Sequence, residues 1–253
     1  MSVSTQGFPL PKSGTSVVGV DVHAVHKSAT MFLFKFFGRL AEELNYDFYS
    51  ENNDPPNQDS LASNNQKNFC RCPIRTFETL ETAFEFPTRR HLIFHTRDPR
   101  DILVSQYFSM GWIHPTEGTK LAQNREKIQQ MPIDEYVLSQ IETSRWPLVE
   151  KFQPLLDREP NPKFETFVTY ETMVTNFQKW IEQVIPPFGV RFPKLAAIKL
   201  AWRYRNEFQV DSETMSHKRR IVPGDHREKL QPSTIDQLNQ RFENILTRFG
   251  YLD

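Results

Sequence analysis

Apolar positions recur along this chain with two different periods. Short apolar runs near 17–25, 46–50, 67–70, 91–96 and 164–169 read as strands. Stretches with apolar residues at helical spacing lie near 29–44, 76–84, 99–110, 132–156, 171–185, 194–207 and 233–249. The clearest of these carries Leu33, Phe36, Phe37, Leu40, Ala41 and Leu44 on one face, so that face predicts burial against a sheet. Strands alternating with helices predict a doubly wound α/β fold, and no internal repeat interrupts the pattern. Two stretches read as long loops: Asn52 to Gln66, rich in Asn, Pro, Asp and Ser, and Gly111 to Gln130, which holds Trp112, Pro115 and Gly118. Loops of an open α/β sheet gather at the carboxyl ends of its strands, where ligands bind.

Composition narrows the picture. A chain of 253 residues is long enough to bury a large core in one domain, so residues 17–253 are expected to form one, preceded by a flexible segment at 1–16. That segment is polar, with Pro9 and Pro11, and reads as neither signal peptide nor membrane span. With 31 basic and 31 acidic residues the formal net charge is zero, which gives no reason for general attraction to nucleic acid or to an anionic membrane; the basic residues that matter are local. Cys70 and Cys72 are too few and too close for a disulfide framework, and no His/Cys spacing indicates a metal. Reduced thiols and a cytoplasmic location are the expectation.

The candidate chemistry begins where the first apolar run empties into His26-Lys27-Ser28-Ala29-Thr30 and then into a helix. Amides at a helix start lack intrahelical acceptors and the helix dipole adds positive potential there, so a lysine and hydroxyls in such a turn suit a phosphate. The ATP-binding loop G-x-x-x-x-G-K-[ST] requires glycine where Asp21 and His26 stand, so this is not that loop. A second turn follows the strand at 91–96: Arg97-Asp98-Pro99-Arg100-Asp101-Ile102-Leu103-Val104-Ser105-Gln106-Tyr107. Arginine presents a planar fork of donors to phosphate oxygens, and Ser105, two helical turns on, can reach the same anion. Read blandly, the same residues make an ordinary helix start with Asp98 as cap and Pro99 at its first position. A third basic segment runs Lys218-Arg219-Arg220-Ile221-Val222-Pro223-Gly224-Asp225-His226.

Together these segments resemble the family of sulfotransferases that use 3′-phosphoadenosine 5′-phosphosulfate (PAPS). Its 5′-phosphosulfate loop is Pro-Lys-Ser-Gly-Thr-Thr, and its 3′-phosphate site is an Arg-Asn/Asp-Pro-Arg/Lys-Asp turn followed by Val-Ser-x-Tyr. The resemblance implies a P-loop NTPase-like three-layer fold with a central, mostly parallel sheet of about five strands flanked by helices. It implies that Lys27, Ser28, Ala29, Thr30 and Met31 hold the 5′-phosphate, that Arg97 and Ser105 hold the 3′-phosphate, and that Arg219 and Arg220 close over the latter. Phe32 takes the place of the aromatic that stacks on the adenine, Tyr170 that of the tyrosine beside it, and Phe208 matches a second aromatic. Gly224 and Asp225 carry over, whereas Ala29 and Ile221 replace glycines and His226 replaces a tryptophan. The reaction implied moves a sulfuryl group from PAPS to a hydroxyl or amine of a small-molecule, lipid or sugar acceptor, leaving adenosine 3′,5′-bisphosphate, with no metal. Lys27 then faces the leaving oxygen, and the two long loops are the expected acceptor wall.

The general base stays open. The cytosolic branch of the family takes it from a Lys-Thr-His-x-Pro segment, where this chain has Phe69-Cys70-Arg71-Cys72-Pro73, and an arginine accepts no proton. The glycosaminoglycan-type branch uses a glutamate after the second strand, which favours Glu51, with Asp54, His23, His114 and Glu78 as alternatives. A P-loop kinase of a small substrate and a nucleotide-binding protein of the same fold without turnover are the competing readings. The acceptor and the oligomeric state are not legible.

Overall fold

The computed structural model describes residues 19–50, 68–75, 90–113, 119–143, 148–208 and 221–252. They fall into two compact units, one from Met1–Thr96 with Glu159–Glu207 and one from Arg97–Arg158 with Phe208–Asp253.

The first unit holds the sheet. Its strands are β1 (Gly19–Ala24), β2 (Asp47–Tyr49), β3 (Phe69–Ile74), β4 (Arg90–Thr96) and β5 (Glu165–Thr169), in the order β2-β3-β1-β4-β5, every pairing parallel. This is the α/β sheet the alternation predicts. Helix α1 (Thr30–Glu43) follows β1 and buries Leu33, Phe36, Phe37, Leu40 and Ala41, the stripe read from the sequence. Full burial of the leucines and phenylalanines contributes about 1.5–3 kcal/mol each. Trp180 packs against Phe36 and Phe37 and donates its indole N–H to Nδ1 of His95 in β4 at 3.3 Å. That bond leaves the proton of a neutral His95 on Nε2.

Helical stretches expected as single elements divide where a cap intervenes. The stretch at 171–185 is α6 (Tyr170–Thr175) and α7 (Phe177–Val184), because the Asn176 side chain accepts from the Lys179 amide and starts a new helix. Helix α8 (Pro193–Arg203) completes this unit. The expected helix at 76–84 and the expected loop at 52–66 lie outside the described residues.

The second unit is helical among its described residues. Helix α2 (Pro99–Phe108) passes into a π-helical turn at Ser109–Ile113. The loop expected from Gly111 to Gln130 is corrected: Thr119–Gln130 is a helix, α3. Its sequence is polar, with Ile128 buried and few apolar neighbours to show a period, so packing rather than pattern reveals it. Gly111 permits the approach, since a Cβ there would stand 3.2 Å from Ile128 Cγ2, and Gln129 Nε2 donates to the Gly111 carbonyl at 2.7 Å. The stretch at 132–156 holds α4 (Ile133–Thr143) and α5 (Leu148–Leu156), and 225–249 holds α9 (Asp225–Lys229), α10 (Pro232–Arg241) and α11 (Glu243–Phe249). Arg100, buried, ties this unit together: its guanidinium donates to Asp98, to Asn239 Oδ1 at 2.7 Å and to the Tyr251 carbonyl at 2.8 Å.

Among the described residues no helix is long and apolar enough to cross a membrane, and no cluster of His, Cys, Asp and Glu could hold a metal.

Candidate active site

At the carboxyl end of β1 the chain makes a turn that few sequences adopt without cause. Lys27 (φ 63°) and Ala29 (φ 64°, ψ 37°) both stand in the left-handed region, at about 1–2 kcal/mol each for residues with a Cβ. Ser28 between them is buried and anchors the turn. Its hydroxyl donates to the Val25 carbonyl at 2.6 Å and its amide to the same oxygen at 3.3 Å. A chain that steps in and out of the left-handed region turns neighbouring amides toward one side and forms a concavity for anions. Phe32 and Leu33 donate to the Ala29 carbonyl at 2.8 and 3.0 Å. The amides ahead of them open α1, where no carbonyl stands one turn behind. Lys27 and Thr30 are half-buried beside this helix start, and Met31 is 62% exposed.

The expected role of the Ser28 hydroxyl as a phosphate donor would require it to give up its bond to Val25. The loop is left-handed at Ala29, so the alanine that replaces the family's glycine carries the strain a glycine would avoid. Phe32, half-buried, sits in an aromatic cluster with ring centroids 5.8 Å from Phe36, 5.8 Å from Phe177 and 5.9 Å from Tyr204. Tyr170 is buried at the start of α6, capped by the Thr169 hydroxyl, which accepts from the Thr172 amide at 3.1 Å.

In the second unit Arg97 directly follows β4 in sequence and is buried. Asp98 caps α2, its carboxylate accepting from the Arg100 amide at 2.9 Å, and Pro99 is the first helical residue. The ordinary helix start expected from the sequence therefore holds for Asp98 and Pro99. Ser105 is half-buried on α2, two turns in.

Sequence reasoning missed the neighbour that organises this helix start. The buried Asp101 carboxylate accepts from the Gly224 amide at 2.7 Å, the His226 amide at 3.0 Å and His226 Nδ1 at 2.6 Å. Burial pushes its acidity down, but the His226 hydrogen bonds and the charge of Arg97 outweigh that and bring its pKa to about 2. Asp101 thus fixes the start of α9, where Gly224 (φ +88°) makes the left-handed turn. Arg219 and Arg220, just before Ile221, lie outside the described residues. Phe208 is half-buried.

A second missed group lies within the sheet of the first unit. Asp21, fully buried in β1, is cross-strand neighbour to Arg71 in β3, which grips it through Nε and NH2, both at 2.6 Å. Arg90 reaches the same carboxylate at 3.2 Å. Burial raises the Asp21 pKa, yet the Arg71 hydrogen bond and the charges of Arg71, Arg90 and His23 hold it below the ordinary value. An aspartate inside a valine-rich strand was the available signal, because a buried carboxylate demands a counter-charge. Arg71, which stands where the cytosolic branch has its base, is held in this ion pair. His23 is buried on the same face and packs on Phe94 at 5.4 Å. Glu51, Asp54, Glu78 and His114 lie outside the described residues.

Neither a family model nor a curated protein sequence matches the chain. Solved structures do. Mouse sulfotransferase SULT7A1 complexed with PAP superposes with a TM-score of 0.60 at 15% identity, over 90% of this chain and 83% of that one. Retinol dehydratase matches with a TM-score of 0.51 in complex with androsterone and inactive cofactor PAP, and 0.52 with retinol and PAP. Both matches are at 13% identity and cover 90% of this chain, with 80% and 81% of the other. The fold of this chain is that of the PAPS-dependent sulfotransferases.

Proposed function

We propose that this protein is a PAPS-dependent sulfotransferase acting on a hydroxyl or amine of a small-molecule, lipid or sugar acceptor. The observation that carries the reading is the strained turn at 27–29, opening onto the start of α1 at the carboxyl end of β1, in a chain whose fold matches sulfotransferases solved with PAP. The loop fits a phosphate in three respects. Its amides lie at a helix start, its one cation adjoins them, and the buried Ser28 fixes its shape in advance. Bound PAPS would supply the sulfuryl group, which passes to the acceptor by in-line displacement.

The protein's own residues then divide the work. Ala29, Thr30 and Met31 present amides to the 5′-phosphate, with Ser28 shaping the turn. Lys27 neutralises the charge that grows on the oxygen released toward the phosphate, an interaction stronger in the transition state than with bound PAPS. Arg97 and Ser105, with Arg219 and Arg220, take the 3′-phosphate, and Phe32 and Tyr170 flank the base. Glu51 takes the acceptor proton. A carboxylate serves there if partial burial lifts its pKa toward neutrality. Solved neighbours complexed with androsterone and retinol support an apolar small molecule as the first acceptors to try.

Transfer of labelled sulfate from PAPS to a panel of sterol, retinoid, phenol and sugar acceptors tests the proposal. Product formation that Lys27→Met abolishes is the expected result. Stabilisation by adenosine 3′,5′-bisphosphate without transfer to any acceptor would overturn catalysis in favour of a nucleotide-binding protein.

A further inference from the structure

Helix α8 is amphipathic in an unusual sense. Its Ala196, Ala197 and Leu200 are buried in the first unit, while the opposite face, which should be polar, is apolar. Leu195 (50% exposed), Ile198 (52%) and Trp202 (65%) repeat at three and four residues, and Phe192 (50%) extends the row by one turn. Single exposed apolar residues are ordinary, but four in one helical row are not.

The charges around this row point to what covers it. From Gln183 to Asn206 the sequence holds five basic residues, Arg191, Lys194, Lys199, Arg203 and Arg205, and no acidic one, although the whole chain is neutral. Arg203 pairs with Glu43; the other four are exposed. Two of them lie over the aromatic members of the row, Arg191 5.1 Å from the Phe192 centroid and Arg205 4.3 Å from that of Trp202. A protruding apolar row with tryptophan at one end, phenylalanine at the other and cations on both flanks has the composition of a helix lying in a membrane interface.

We propose that α8 docks the protein on an anionic lipid surface, its apolar row entering the headgroup region and its cations meeting lipid phosphates. The contact is peripheral and needs no spanning helix. Its strength is local, since the rest of the chain, with 26 basic residues against 31 acidic ones, carries a net negative charge and adds no attraction. The row is carried by one helix and flanked by exposed cations, which suits an anionic lipid surface.

Cosedimentation of the full chain with vesicles tests this, comparing phosphatidylcholine alone with equal parts phosphatidylcholine and phosphatidylserine. The expected result is binding to the anionic vesicles, weakened by salt, with a blue shift of the Trp202 emission that is missing in Trp202→Phe. The pair Leu195→Ser with Ile198→Ser, and separately Lys194→Glu with Lys199→Glu, should each weaken binding about tenfold or more. All four positions are exposed, so a circular dichroism spectrum equal to the parent's is expected and excludes misfolding. No binding to either vesicle, or binding that both pairs leave unchanged, overturns the proposal. So does a dimer in light scattering that the Leu195→Ser, Ile198→Ser pair dissociates, or binding to polyglutamate but not to vesicles.

Discussion

Lys27 is the residue on which chemistry and conformation meet. Its left-handed backbone places it in the turn, and in the proposed reaction its charge meets the group being transferred. Replacing it with methionine should lower turnover about a hundredfold or more, about 3 kcal/mol of transition-state stabilisation, with a smaller change in KM. An equal loss shown to come from unfolding by circular dichroism would contradict that role. Ala29 makes a separate prediction about the same turn. Glycine removes the Cβ strain of the left-handed position but adds freedom to the unfolded chain, leaving a net gain of about 0.5–1 kcal/mol for Ala29→Gly. Thermal melting reads it as a rise of about 1–4 °C. A fall would mean the turn is not left-handed there. The turn between β1 and α1 was legible because it depends on immediate neighbours in sequence. The Asp21–Arg71 pair was not, because only the register of β1 against β3 brings those residues opposite each other.

At the scale of elements, α2 and α9 are joined through one carboxylate. Removing it in Asp101→Ala leaves the Gly224 and His226 amides and His226 Nδ1 without their acceptor, a loss on the order of 3 kcal/mol by urea unfolding. Strands β4 and β5 yield a pH dependence. His91, buried in β4, shares a 2.8 Å hydrogen bond with Thr166 of β5, and burial lowers its pKa from 6.5 to about 4. A histidine depressed on folding favours the native state fully above its unfolded pKa. That contribution is lost as pH falls through the window from 6.5 to about 4, because the unfolded chain takes up its proton first. Melting temperature should therefore fall across this window, and His91→Gln should flatten the curve. The elements themselves were readable where an apolar face repeats, as in α1. They were misread where a capping side chain such as Asn176 divides a continuous pattern, or where α3 offers almost no apolar face.

For the whole molecule, the sheet order β2-β3-β1-β4-β5 puts β1 in the centre, so the turn it feeds is held by the most buried strand. Alternation of strands and helices was enough to foresee an α/β sheet, but not its strand order, which depends on pairings between segments distant in sequence. The account beyond the fold rests on recognition of a doubly phosphorylated adenosine rather than a triphosphate. The most direct measurement is the melting temperature of the full chain with adenosine 3′,5′-bisphosphate, set against ATP with Mg²⁺. At a hundred times its dissociation constant, a ligand specific for the folded state adds about 2.7 kcal/mol of stability. The account predicts a rise with the bisphosphate and none with ATP and Mg²⁺; a rise with ATP and Mg²⁺ alone, or with neither, would contradict it.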